Sequence, residues 1–164
     1  MNSIFHRTSI RQYLEQEVDA EQVEQLLRAA MAAPSAGNQR PWEYYVVTDK
    51  KKLEELSLAS PYSGCAKGAP LAFVACFRKD CMMPEYGQQD LAASVENLLL
   101  EADTLGLGAV WLGIAPIEER MSKVKQTLSI PDGLEAFAII PCGHPLRINA
   151  QPDRFDQSRI HYVK

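Results

Sequence analysis

The run Leu71 to Arg78 reads Leu-Ala-Phe-Val-Ala-Cys-Phe-Arg, apolar at every position until the last. A strand with one face in water alternates apolar and polar residues, so an unbroken run predicts a central strand covered on both faces. The rest of the chain offers the material to cover it. From about Tyr86 to Leu105, the positions Leu91, Ala92, Val95, Leu98, Leu99, Ala102 and Leu105 recur at helical spacing, and Gly106 stands where a C-terminal cap belongs. This long helix is expected to be the hydrophobic backbone of the domain.

A second amphipathic helix is predicted from Asp19 to Ala33. Asp19 is its N-cap, Gln22 stands three residues on, Val23, Leu26, Leu27 and Ala30 form the apolar stripe, and Pro34 ends it. The loop Ser35 to Arg40 leads into a strand over Glu43 to Thr48, rich in β-favouring Tyr and Val. Asp49 caps a short helix to about Leu58. Further on, Ala109 to Ile114 reads as a strand, Glu118 to Leu128 as a helix and Ala136 to Cys142 as a strand. Helix and strand are mixed, with no internal repeat. The polar segment 145–164 carries Pro145 and Pro152 and little periodicity, so it needs a surface to lie on.

A chain of 164 residues suits one domain, 1–164, with a real core. Its 17 basic and 21 acidic side chains give 17 − 21 = −4, which leaves no broad cationic footprint for nucleic acid or an anionic membrane. No apolar run is long enough to span a bilayer, and the amino terminus lacks a signal-peptide core, so a cytoplasmic location is expected. Cys65, Cys76, Cys81 and Cys142 show neither CxxC spacing nor a Cys/His cluster for zinc, so neither disulfide nor metal is expected. Cys76 and Cys142 are expected to behave as small buried hydrophobes, with a thiol nucleophile as the alternative.

Four segments carry chemistry. Arg7-Thr8-Ser9-Ile10-Arg11 places two guanidiniums and two hydroxyls together, a combination suited to a phosphate because Arg binds its oxygens bidentately and a hydroxyl adds a donor. Pro34-Ser35-Ala36-Gly37-Asn38-Gln39-Arg40-Pro41-Trp42 is a loop of small and polar residues. Gly106-Leu107-Gly108 leads to Trp111-Leu112-Gly113, and Cys142-Gly143-His144-Pro145 precedes Arg154. No acid/base dyad, no Ser/His/Asp set and no GxGxxG or P-loop motif occurs, so no protein side chain is assigned as catalytic and the hard chemistry falls to a cofactor.

In that order and at those separations, the set resembles the FMN-dependent nitroreductase family from Arg7 to about Tyr162. The resemblance implies an α+β fold, a central and mostly antiparallel sheet flanked by helices, in a homodimer whose C-terminal segment, with Phe155, Ile160 and Tyr162, reaches the partner. It implies FMN as cofactor and NADH or NADPH as electron donor, with electrons passed to a nitroaromatic or quinone-like small molecule by a ping-pong mechanism. Arg7 and Ser9 correspond to the phosphate and ribityl end, with Thr8 between ligands, and Arg11 to the pyrimidine edge, where a cation stabilises the charge of the reduced ring. Pro34, Ser35, Ala36 and Asn38 match the loop lent to the flavin of the other subunit. The main chain at Leu112 and Gly113 corresponds to the segment against the ring, and Arg154 completes the phosphate site. Family members commonly have Gln directly before Pro-Trp, where this chain has Arg40. The segment Lys79 to Gly87, with Met82, Met83 and Tyr86, is either a lid on the acceptor pocket or a plain surface connection. The alternatives are an FMN storage or sensing protein without turnover, a degenerate member that is only an interaction module, and a specialised member such as a reductive dehalogenase or a flavin-destroying enzyme.

Overall fold

In the computed structural model, which describes residues 2–164, the apolar run takes up the expected central place. Met1, the first residue of the expected domain, lies outside the described residues. The sheet consists of β1 (Trp42–Val47), β2 (Leu71–Arg78), β3 (Gly108–Ala109), β4 (Leu112–Gly113) and β5 (Leu134–Gly143). All pairs are antiparallel, in the order β1-β2-β5, with β3 and β4 sharing the far edge of β5. The helices are α1 (Ala20–Met31), α2 (Lys50–Ser57), α3 (Gly87–Thr104) and α4 (Glu118–Leu128).

The two faces of β2 divide as period-two geometry requires. Leu71, Phe73, Ala75 and Phe77 join Leu26 and Ala30 of α1 and Leu91, Val95 and Leu98 of α3 in one cluster. Ala72, Val74 and Cys76 join Leu53 and Leu56 of α2 and Met121 and Val124 of α4 in another. Phe73 is fully buried, and truncating such a residue to Ala costs about 3–5 kcal/mol. The helix ends follow their sequence signals. The Gln22 side chain accepts from the Asp19 amide at 3.2 Å, and Asp49 accepts from the Lys52 amide at 2.8 Å. Gly106 has φ +72°, and the Leu107 amide reaches back to the Ala102 carbonyl at 2.8 Å, closing a Schellman motif after α3.

Two expectations need correction. Helix α1 stops at Met31, three residues before Pro34. The strand expected over Ala109 to Ile114 is interrupted: β3 and β4 keep one register against β5, with Ala109 opposite Cys142 and Leu112 opposite Ile139. That register puts Val110 opposite Pro141. The Val110 amide donates to the Pro141 carbonyl at 3.3 Å, but proline has no N–H to return the bond, so the ladder breaks there.

Candidate functional site

The Arg7–Arg11 segment is fixed to the edge of the sheet. The Asn2 side chain accepts from the Ile4 amide, and the Arg7 amide closes the same turn on the Ser3 carbonyl at 2.9 Å. The Ile10 amide then donates to the Ala109 carbonyl of β3 at 3.0 Å. Ile10 is buried while Ser9 and Arg11 are exposed, the alternation of an extended chain lying on a surface. Close approach here depends on Gly108, where an added Cβ would stand 2.6 Å from the Ile10 side chain. The Tyr13 hydroxyl lies 2.7 Å from the Ile10 carbonyl and 3.1 Å from the Pro141 carbonyl, and burial pushes its pKa well up. Arg7 is largely buried along α3, with Nε 3.8 Å from the Glu96 carboxylate.

Two further contacts hold this strip. His6 Nδ1 lies 2.8 Å from Asp103 Oδ1 near the end of α3, and Asp103 lines a small cavity together with Arg7, Thr8 and Gly108. From the far end of the chain, Gln151 Nε2 donates to the Arg7 carbonyl at 2.8 Å and lies 3.2 Å from the Ile4 carbonyl, while the Thr8 hydroxyl donates to the Asn149 carbonyl at 3.4 Å. Arg154 follows Gln151 by three residues and is exposed; an extended chain of that length spans at most about 11 Å. The tail beyond it has only one short turn, Gln157–Arg159, and leaves Phe155 74% and Tyr162 81% exposed.

At β4, Leu112 is buried and Gly113 exposed. A Cβ at Gly113 would meet nothing within 4 Å. Packing within this chain therefore does not demand a glycine, and the main chain there is open to close approach by another group. The Gly113 carbonyl accepts from Arg120 Nη1 at 3.3 Å.

The loop from Pro34 to Arg40 stands elsewhere. Gly37, Asn38 and Arg40 all have positive φ, a tight winding that a short loop of small residues can adopt. The Ser35 hydroxyl accepts from the Arg40 amide at 2.9 Å, which fastens the loop onto itself. Pro34 and Asn38 are exposed. The Ala36 amide donates to Asp90 Oδ1 at 2.8 Å, near the start of α3. Asp90 and Asp103 are thirteen residues apart on one helix, so the loop lies roughly 20 Å from the His6 contact at the rise of α-helical geometry. Within one chain, Arg7, Thr8, Ser9 and Arg11 come together with β3 and the tail, and Leu112 and Gly113 continue the same sheet edge. Pro34, Ser35, Ala36 and Asn38 do not join them.

The side chain at the unusual position before Pro-Trp, Arg40, is exposed, and its carbonyl accepts from Arg78 Nη2 at 2.9 Å. Its neighbour Gln39 turns inward instead, donating to Asp90 Oδ2 at 2.6 Å and to the Met83 carbonyl at 3.0 Å while accepting from the Met83 amide at 2.8 Å. Sequence reasoning passed over Gln39, Asp90 and the His6–Asp103 contact. One signal was present: Asp90 and Ser94 are polar residues four apart on the stripe of α3 that also carries Leu91 and Leu98, and both are buried. Polar groups in such a place need partners. The thiols of Cys76 and Cys142 are buried, and desolvation pushes each up to about 12, so neither is a thiolate nucleophile at neutral pH. No helix among the described residues is long and apolar enough to cross a membrane.

The family model described as Nitroreductase family matches residues 4–61 and 61–144. The chain belongs to the Nitroreductase family. Among its relatives, a Methanothermobacter thermautotrophicus protein with the provisional name NADH dehydrogenase/NAD(P)H nitroreductase is 38% identical over 165 residues, covering 100% of this chain and 86% of that protein. The crystal structure of a provisionally named NADH oxidase from Clostridium acetobutylicum superposes with a TM-score of 0.96 at 46% identity, covering 99% of both chains. A provisionally named nitroreductase from Desulfovibrio desulfuricans, solved in complex with FMN, has a TM-score of 0.83 at 30% identity, covering 99% of this chain and 94% of that one. Membership of the Nitroreductase family accounts for the antiparallel sheet between helical layers found here.

Proposed function

We propose that this chain is an FMN-dependent oxidoreductase that draws electrons from NADH or NADPH and passes them to a nitroaromatic or quinone-like acceptor, acting as a cytoplasmic homodimer of one domain per chain. The names of its relatives support the cofactor and the donor. One observation within the chain carries the reading. The Ile10 amide sits on the Ala109 carbonyl, which sets outward-facing Ser9 and Arg11 on the same sheet edge as the open main chain of Gly113. A row of cations and a hydroxyl beside backbone without a Cβ fits a planar ring that carries a phosphate.

FMN, when bound, supplies the redox chemistry, taking a hydride from the nicotinamide and giving electrons to the acceptor. The chain's own residues bind and orient. Arg7 and Arg154 balance a phosphate charge of about −2, with Thr8 beside them and the Ser9 hydroxyl as a further donor. Arg11 stabilises negative charge at the pyrimidine edge of the ring. The main chain at Leu112 and Gly113 allows the ring close approach. The loop of Pro34, Ser35, Ala36 and Asn38 serves the site of a second copy, because in its own chain it lies at the other end of α3. The exposed Phe155 and Tyr162 support the same dimer: large apolar side chains gathered on a tail are covered in an assembly more often than in a monomer. Donor and acceptor use one face in turn, giving ping-pong kinetics, and water supplies the protons.

Purified protein is expected to be yellow and to bleach on addition of NADH or NADPH. Yellow protein that does not bleach supports storage or sensing of FMN, and colourless protein that FMN cannot reconstitute overturns both readings. Arg7→Ala and Arg154→Ala are expected to lower FMN retention. A stable monomer carrying flavin in sedimentation would refute the two-chain site.

A further inference from the structure

The amide of Gln39 makes three hydrogen bonds. Its nitrogen donates to the Met83 carbonyl at 3.0 Å and to Asp90 Oδ2 at 2.6 Å, and its oxygen accepts from the Met83 amide at 2.8 Å. It thus pairs with both peptide groups of Met83 as a neighbouring strand would. Asp90 is buried, and its other oxygen accepts from the Ala36 amide at 2.8 Å. One carboxylate and one carboxamide therefore tie together the loop of residues 34–40, the start of α3 and the segment carrying Met82 and Met83. The orientation of the carboxamide is fixed: the Met83 amide demands an oxygen facing it, and the Met83 carbonyl and Asp90 demand N–H groups. Side-chain packing closes the same junction, since a Cβ at Gly37 would lie 3.4 Å from the Met82 sulfur and 3.7 Å from the Met83 methyl group. Met82 is nonetheless 72% exposed. A soft, adaptable side chain is thus held in the open by a rigid base.

We propose that Gln39 is a positioning residue that fixes the Met82–Met83 segment to the 34–40 loop, so that these methionines form a wall of set position for the electron acceptor. This rests on the functional reading above, in which that loop faces a flavin. Asp90 orients Gln39 and holds the Ala36 amide, and thereby couples the wall to the cofactor loop. Loss of the tie moves the wall and leaves the Ala36–Asp90 bond and the phosphate strip at the far end of α3 in place, so it alters how substrates bind beside the ring and not how FMN is retained.

The test uses the full-length protein with FMN, as wild type, Gln39→Ala and Gln39→Met. The Met variant keeps the length and apolar stem of the side chain without its hydrogen bonds, so a packing role would be rescued by it. Both variants are expected to speed hydrogen exchange of the Met83 amide at least tenfold. They are also expected to change KM for a bulky nitroaromatic or quinone at least threefold relative to a small one, with FMN affinity within twofold of wild type. Unchanged exchange in both variants, or rescue by Met, overturns the tie. Faster exchange with an unaltered KM ratio, or with FMN affinity lowered more than twofold, overturns the role as a wall. Failure of the underlying functional reading has its own signature, wild-type protein that binds no FMN, and the exchange measurement is independent of it.

Discussion

His6 and Asp103 meet across the end of α3 with 2.8 Å between Nδ1 and Oδ1, while the second carboxylate oxygen of Asp103 is buried without a partner among the described residues. The pair fastens the residue immediately before Arg7 to the helix, so a contact with no chemistry of its own sets where the arginine proposed to bind phosphate begins. His6→Ala leaves both oxygens of a largely buried carboxylate without a protein partner and is expected to destabilise the fold by about 1–3 kcal/mol. Adding Asp103→Leu removes the orphaned group and is expected to recover part of that loss. Denaturant unfolding of the single and double variants measures both; a double variant that loses the full sum of the two single changes would show the residues to be uncoupled.

Gly108 and Gly113 lie five residues apart on one edge of β5 and differ in what surrounds them. At Gly108 a Cβ would collide with Ile10 atoms at 2.6–2.8 Å, whereas at Gly113 it would meet nothing within 4 Å. Gly108→Ala is expected to cost about 1–3 kcal/mol through overpacking against a well-filled site. Gly113→Ala is expected to leave the unfolding midpoint of the apo-protein nearly unchanged and, on the proposed function, to weaken FMN binding, because the added methyl group meets nothing within the chain and intrudes on the space assigned to the ring. Thermal unfolding without FMN, set beside an FMN titration, separates the two. An equal loss of apo-protein stability at both positions would assign Gly113 to packing.

Periodicity and caps made most of the fold legible. The unbroken run of β2, the stripe of α3 and the glycine after it each state a local rule that the packing obeys. The split of β3 from β4 was hidden because its cause, Pro141, lies about thirty residues away and acts only through register. Chemistry-bearing residue types were visible for the same local reason: two arginines and two hydroxyls in five positions need no fold to be noticed. The clamp of Gln39, Asp90 and Met83 was not visible, since its members are scattered over more than forty positions and no local pattern links them. Arg40 drew attention because it departs from a family pattern, yet the inward-facing amide belongs to the residue before it.

The buried thiols set an alkaline limit on stability. Burial raises Cys76 and Cys142 from 9.0 to about 12, so the folded chain keeps them neutral where the unfolded chain ionises them. Their contribution is therefore fully present below pH 9 and is lost as pH rises toward 12; each group adds a slope of up to about 1.4 kcal/mol per pH unit within that window. Tyr44, raised from 10.0 to about 12 by burial, adds to the upper part of it. The variant carrying Cys76→Ala and Cys142→Ala is expected to be less stable at neutral pH and to lose less further stability between pH 9 and pH 11. Parallel slopes for wild type and variant in denaturant titrations would remove the thiols as the cause.

Arg11 offers the sharpest separation of binding from redox tuning. It is exposed and follows the buried Ile10 in a strip whose other end carries Arg7. On the proposed function, its charge lies near the pyrimidine edge of the flavin and far from the phosphate. A cation there favours the reduced ring, which carries more negative charge than the oxidised one, and the preference is modest because water and salt screen an exposed group. Arg11→Ala is expected to lower the midpoint potential by on the order of 20 mV, equivalent to about 1 kcal/mol for two electrons. FMN affinity is expected to change less than twofold in that variant, whereas Arg7→Ala is expected to do the reverse. Spectroelectrochemical titration beside an FMN binding isotherm reads both quantities. A potential unchanged in Arg11→Ala and displaced in Arg7→Ala would exchange the two roles.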